Sequence, residues 1–231
     1  MTPQAYIDLV TARYEEIRKP SKAKEMSAYM RNLFPYLGIN KPERVQLNKE
    51  IFPIIKQIVN EDFLKEIVLL CWQKQEREYQ YFAMDLLQKY FDHLSPRFMP
   101  LITYMAMQKS WWDSIDLLAI KIVSRLVSKF PELQPTIDEF GVHEYLWLRR
   151  IAIIYQIPFK RKTNTQLLFR FCLHNAADKD FFIRKAIGWA LREQTKSDPQ
   201  SVIDFVSKYE EILSPLSKKE ALKKINLRFP A

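Results

Sequence analysis

The segment KSWWDSIDLLA (109–119) gathers the residue types best able to do chemistry: two adjacent indoles, Trp111 and Trp112, followed by two carboxylates, Asp113 and Asp116. Consecutive side chains on a helix point about 100° apart. Two neighbouring tryptophans therefore cannot share one buried face; one can join a core while the other looks into a groove. Trp112 and Asp116 are four residues apart and face the same way if Trp112 lies on or near the first helical turn. A plainer reading makes Asp113 an N-cap and Asp116 the third-position partner of a capping box, both favoured by the helix dipole. That reading explains an acid at 116. It does not explain the two indoles before it.

Two further segments carry the same kind of signal. In EYLWLRRIAIIYQ (144–156), Arg149 and Arg150 interrupt a helix with apolar anchors at Leu146, Ile153 and Ile154. Adjacent arginines cannot share a face, so at least one is expected to emerge where its fork of donors suits phosphate oxygens; a pair of snorkelling surface arginines is the alternative. In FFIRKAIGWALRE (181–193), Lys185 lies four before Trp189 and Arg192 three after it. Gly188 costs that helix about 1 kcal/mol relative to alanine, a cost offset where a helix or backbone must approach closely. An indole flanked by cations suits nucleic-acid stacking or sugar contact, while a core tryptophan over a small residue is the alternative. Tyr29, on a segment with Lys22, Lys24 and Arg31, is either an exposed phenol at a groove edge or core filler. His93, His143 and His174 are scattered, and no Ser-His-Asp, Cys-His or metal-ligand set can be assembled from spacing.

The elements that must position these residues read as helices throughout. Apolar residues recur at helical spacing in 2–19, about 21–33, a segment opened by Pro42, a segment capped by Asp62, and 77–94. The pattern continues after Pro96, over 113–130 (the most regular), 142–156, 163–177, 180–196 and 199–213, and in a short KKEALKKI tail. Val45, Ile51, Ile54, Ile55 and Ile58 are expected inward on the third helix, and Ile115, Leu118, Ile122, Leu126 and Phe130 on the 113–130 helix. Asp198-Pro199 and Ser217 read as start signals. About a dozen helices joined by short links force antiparallel neighbours, and a hairpin recurring every roughly 35–45 residues matches HEAT-like arrays. The expected fold is an all-α, HEAT-like repeat solenoid of antiparallel helix pairs, one domain over 1–231 with a concave face for a large ligand; an irregular bundle is the alternative.

Composition agrees. The chain is 48% hydrophobic and has three glycines and thirteen prolines. Three glycines are too few for a sheet-rich fold and leave no cluster for a dinucleotide or P-loop site. No apolar run approaches the roughly 18–20 residues of a membrane span. The N-terminus MTPQAYIDLV carries Asp8 and no basic region, so no signal peptide is expected. Cys71 and Cys172 read as reduced core thiols of a cytosolic protein. The net charge of +9 is lopsided: residues 1–140 hold 19 Lys/Arg against 18 Asp/Glu, and 141–231 hold 17 against 9. A one-sided positive field of this kind attracts polyanions.

Together AYMRNLFPYLGI (28–39), KSWWDSIDLLA (109–119), WLRRIAIIYQ (147–156) and FIRKAIGWALRE (182–193), with an echo in LSPLSKKEALKKI (213–225), resemble the bacterial HEAT-like-repeat alkylpurine DNA glycosylases, the AlkD-like DNA alkylation repair family. The resemblance runs essentially end to end. It implies a concave face that grips duplex DNA and cleavage of the N-glycosidic bond of cationic 3-methyladenine and 7-methylguanine, leaving an abasic site without enclosing the flipped base. By that resemblance the catalytic acid is Asp116, with Trp112 and Trp189 as the catalytic aromatics. The DNA-binding arginine is Arg150, with Arg149 as the alternative, and Tyr29 matches the tyrosine of the AYM segment. Lys185 and Arg192 are added as DNA contacts beside Trp189. No metal or cofactor, no membrane and no obligate protein partner is implied; a cytoplasmic, nucleoid-associated monomer is expected.

The chemistry fits those residue types. Alkylation at N3 or N7 makes the purine a good leaving group, so one carboxylate suffices where two would otherwise be needed. As the bond breaks, positive charge develops on the deoxyribose, which an ionised aspartate stabilises while positioning water. Indole faces favour the same charge, and an arginine on a phosphate holds the sugar in register. Lys109 and Lys185 keep lyase chemistry slightly open. A non-catalytic repeat module binding damaged or unusual DNA is the alternative function, and a peptide-binding scaffold is disfavoured by the one-sided charge.

Overall fold

The computed structural model describes residues 1–223. Among them every regular element is helical. Contacts gather the chain into two compact units, Met1–Lys109 and Ser110 onward. No helix among the described residues is long and apolar enough to cross a membrane.

The first unit holds α1 (Pro3–Glu16), α2 (Pro20–Tyr29), α3 (Lys41–Ile51), α4 (Glu61–Gln73), α5 (Arg77–Lys89) and α6 (Met99–Met107). Start signals are local. Pro3, Pro20 and Pro42 fall in first turns, and Thr2, Asn40 and Asn60 accept from backbone N–H groups there, Asn40 in a capping box with Glu43. The cap of α4 is thus Asn60, correcting Asp62, which falls inside the first turn. α2 stops at Tyr29, short of the expected Leu33, because Arg31 and Asn32 both take left-handed backbone, φ 56°. The chain then runs without regular structure to Gly38 (φ 90°), where Glu78 of α5 accepts from the consecutive N–H groups of Leu37, Gly38 and Ile39.

The expected third helix ends at Ile51 and a 3-10 turn, Phe52–Ile55, follows it, so the inward side over 45–58 is not the one expected. Leu47, Ile51 and Ile55 are buried, but Val45, Ile54 and Ile58 are exposed, and Arg44 and Asn48 turn inward. Arg44 reaches Asp85 (3.1 Å) and lies over the Tyr81 ring, while Asn48 accepts from the Tyr14 hydroxyl (2.8 Å). Satisfied polar pairs therefore shift the buried stripe off the purely apolar one.

The second unit holds α7 (Trp112–Leu117), a π-helical turn (Leu118–Val123), α8 (Ser124–Lys129), α9 (Gln134–Val142), α10 (Leu146–Ile154), α11 (Thr165–His174), α12 (Phe181–Gln194), α13 (Pro199–Lys208) and α14 (Pro215–Leu222). Of the expected stripe, Ile115, Leu118, Ile122 and Leu126 are fully buried, but Phe130 is only half-buried, because the helix ends at Lys129 and the chain leaves it at Phe130. The single regular helix expected over 113–130 is instead broken by the π turn, a feature that concentrates beside functional sites. Asn164, Asp180, Asp198 and Ser214 cap α11 to α14. Ser214 with Pro215 starts α14, correcting Ser217; Lys224 and Ile225 of the expected tail lie outside the described residues. α10 packs against α7, α9 and α12, and α12 against α14. These contacts bring the sequence motifs of 109–119, 147–156 and 182–193 onto neighbouring helices.

Candidate active site

Trp111 is extended (φ −158°, ψ 162°) and precedes α7, so the helix opens at Trp112 and Asp113 is its second residue. The expected N-cap at Asp113, with Asp116 as its capping-box partner, is therefore wrong. The cause is the Trp111 ring, which packs edge-on against Trp147 of α10 (5.7 Å) and Phe182 of α12 (5.0 Å) and fixes where the chain enters the helix. The Tyr145 hydroxyl, just before α10, meets Ser110 Oγ at 2.8 Å and ties the same entry down. Trp112 and Asp116 end up one turn apart on α7, both partly buried.

Asp116 is claimed by Arg150. The guanidinium donates from Nε to Oδ1 (2.7 Å) and from Nη2 to Oδ2 (2.8 Å), a bidentate fork, and its Nη1 donates to the Phe182 carbonyl (2.6 Å). The Asp116 side chain is 18% exposed and that of Arg150 5%. Both carboxylate oxygens are thus held while the side chain stays partly exposed. Burial raises the Asp116 pKa above the ordinary aspartate value; the hydrogen bonds and charge of Arg150 pull it back, and Asp113 adds a push upward. An anion held this way is pre-oriented and poorly hydrated, which suits a group that must meet developing positive charge.

The structure resolves the choice between the two arginines as far as Asp116 is concerned. Arg150 faces the carboxylate. Arg149 turns away, donating to the carbonyls of His143 and Glu144 and to Asp178 (2.7 Å). Neither snorkels, and neither is an idle phosphate donor: Arg150, expected on phosphate, spends three of its donors within the protein, because α7 and α10 pack closely enough for its fork to reach Asp116.

Lys185 and Arg192 are likewise engaged. Both pair with Glu220 of α14, Lys185 at 2.7 Å. The hydrogen bond from Lys185, with both positive charges, holds Glu220 below the ordinary glutamate range despite its burial. Gly188 explains how α14 comes so near: a Cβ there would lie 2.5 Å from the Glu220 Cβ and 3.0 Å from the Ser217 carbonyl oxygen. The close approach expected at Gly188 is made by a helix. Trp189 is half-buried on α12, seven residues from Phe182 and so on the same face. Tyr29, in the first unit, is 74% exposed, so it is no core filler.

Sequence reasoning missed Phe182, Trp147, Asp178 and Glu220. Phe182 had a signal, its seven-residue spacing from Trp189. Glu220 had none, since its partners lie 28 and 35 residues away. Lys109 donates to the Lys74 carbonyl, a structural contact in the first unit. Among the described residues no three His, Cys, Asp or Glu side chains gather as metal ligands.

Residues 10–225 match the family model described as DNA alkylation repair enzyme. Among solved structures, a predicted DNA alkylation repair enzyme from Enterococcus faecalis is 34% identical, with 91% of this chain and 97% of that one covered and a TM-score of 0.84. AlkD2 from Streptococcus mutans is 19% identical (78% and 90% covered, TM-score 0.62), and smu.31 from Streptococcus mutans UA159 is 18% identical (80% and 95%, 0.63). The last two bear on the fold alone, the same all-helical repeat architecture. No curated protein matches.

Proposed function

The chain belongs to the DNA alkylation repair enzyme family, and from that premise we propose that it is a monofunctional DNA glycosylase. It hydrolyses the N-glycosidic bond of cationic alkylated purines, 3-methyladenine and 7-methylguanine, in duplex DNA and leaves an abasic site. The observation that carries this reading is the Asp116 carboxylate, oriented by a two-point contact with Arg150 and sharing one side of α7 with Trp112.

The reacting purine is already cationic, so it departs without protonation by the protein. What the protein must supply is negative charge where the deoxyribose becomes electron-poor, and a fixed position for the incoming water. Asp116 supplies both when ionised. Arg150 keeps the carboxylate from rotating away, and its own charge keeps Asp116 more ionised than burial alone would allow. Trp112 and Trp189 offer indole faces to the sugar and backbone of the damaged nucleotide. Selectivity then rests on the lesion's charge and lability, so neutral lesions are poor substrates.

The test is release of 7-methylguanine from alkylated duplex DNA, compared with the same DNA without protein. Protein-dependent release supports the reading. Duplex binding with no release makes the chain a recognition module for damaged DNA instead.

A further inference from the structure

The side chains expected to neutralise phosphate are mostly spent inside the protein: Arg150 on Asp116, Arg149 on Asp178, Lys185 and Arg192 on Glu220. The excess positive charge of 141–231 must act from elsewhere. Directly after α10, the short 3-10 segment Ile157–Lys162 presents Lys160, Arg161 and Lys162 in succession. All three are exposed, and among the described residues no carboxylate pairs with any of them.

This segment is built as a fixed feature. The buried Gln156 side chain closes it like a clasp, accepting from Asn164 N–H (2.8 Å) and donating to the Asn164 carbonyl (3.3 Å). Phe159 N–H returns to the Gln156 carbonyl (2.8 Å), Thr163 N–H to that of Lys160 (3.1 Å), and the Phe159 ring packs edge-on to Tyr155. Lys160 itself is forced to φ 54°, ψ −115°, a backbone that residues with a side chain avoid. Strain held by a buried clasp, with three unpaired cations at its crest, is costly for a mere connector. The segment also packs on α12, where Ile157 and Lys160 line a crevice with Ala190, Glu193 and Gln194. It therefore joins the end of the helix bearing Arg150 to the helix bearing Trp189.

We infer that Lys160–Lys162 form a preorganised phosphate clamp that takes the DNA backbone during lesion recognition. The inference deepens the duplex-DNA reading above and rests on it. Three charge contacts delivered by a rigid loop bind a polyanion with little ordering entropy, and each releases counterions from the duplex.

The experiment measures affinity for an unmodified duplex across a salt series. It compares the parent protein, a charge-removing variant (Lys160→Gln with Arg161→Gln and Lys162→Gln) and a charge-keeping variant (Lys160→Arg with Arg161→Lys and Lys162→Arg). The expected result is a log Kd against log salt slope shallower by about 2 to 3 in the first variant, at roughly 0.9 per phosphate, and unchanged in the second. An unchanged slope in the charge-removing variant overturns the clamp, including when its Tm falls, since the cations then serve only the carbonyl end of α10. The two readings fail separately. A charge-dependent slope without 7-methylguanine release keeps the clamp and rejects the glycosylase, and release with an unaltered slope does the reverse.

Discussion

Arg150 grips both oxygens of Asp116, at 2.7 and 2.8 Å, across 34 residues of sequence. Removing a partner from a buried ion pair leaves a charge without compensation. Arg150→Ala is expected to lower stability by roughly 2–4 kcal/mol, below the upper end for such losses because Asp116 can take up a proton instead. Denaturant unfolding at neutral pH checks this. Arg150→Lys, which keeps the charge but loses the fork, is expected to restore part of the stability and less of the activity.

The raised pKa of Asp116 sets the direction of a pH profile. Because the folded state binds this proton more tightly than the unfolded chain, the group's favourable contribution to stability is present below the ordinary aspartate pKa. It is lost as pH rises through the folded value. Activity runs the opposite way, since the proposed reaction needs the anion. Base release should fall on the acid side with a midpoint above the ordinary value of about 3.9. In Arg150→Ala the midpoint should move higher still, because the lowering contribution of Arg150 is gone. Single-turnover rates across pH test both shifts.

Gly188 is where α14 rests on α12. Alanine there gains about 1 kcal/mol in helix propensity, but its methyl would meet the Glu220 Cβ at 2.5 Å and the Ser217 carbonyl. Neither is the free end of a flexible side chain, so the helices must part, at a cost of about 1–3 kcal/mol. Gly188→Ala is expected to lower Tm and to loosen the hold of Glu220 on Lys185 and Arg192. A thermal melt and the charge dependence of duplex binding read the two effects.

Trp112 and Trp189 are both half-buried. If their faces stabilise a cationic sugar, Trp112→Ala and Trp189→Ala should each slow base release by about 2- to 30-fold, the equivalent of a cation–π contact of about 0.5–2 kcal/mol. Phenylalanine should restore part of the rate at either position. Equal rates for alanine and tryptophan would remove the indoles from the chemistry.

Much of the fold could be read from local pattern because its signals are local. Proline in first turns, the Asp198 cap of α13 and the 115–118–122–126 stripe each depend on a few adjacent residues. Two errors are local, since Asn60 rather than Asp62 and Ser214 rather than Ser217 make the cap; the others fall where a distant partner decides. α7 starts at Trp112 because Trp111 is held by Trp147 and Phe182. α3 buries Arg44 and Asn48 because Asp85 and Tyr14 wait for them. The site shows the same division. Its residue types and motif spacing were legible, but that Arg150 would serve Asp116, and Lys185 and Arg192 would serve Glu220, depends on helix packing that no single segment encodes. The basic run at 160–162 carries no motif that sets it apart in the sequence, and its clasped state in the fold distinguishes it from a solvated turn.

The account rests on negative charge at residue 116, so the most direct measurement is release of 7-methylguanine by Asp116→Asn beside the parent protein. The substitution nearly preserves shape and removes the charge. Loss of an electrostatic contact made in the transition state predicts a rate lower by about 100- to 1000-fold while duplex binding persists. Release by Asp116→Asn at the parent rate would contradict the account.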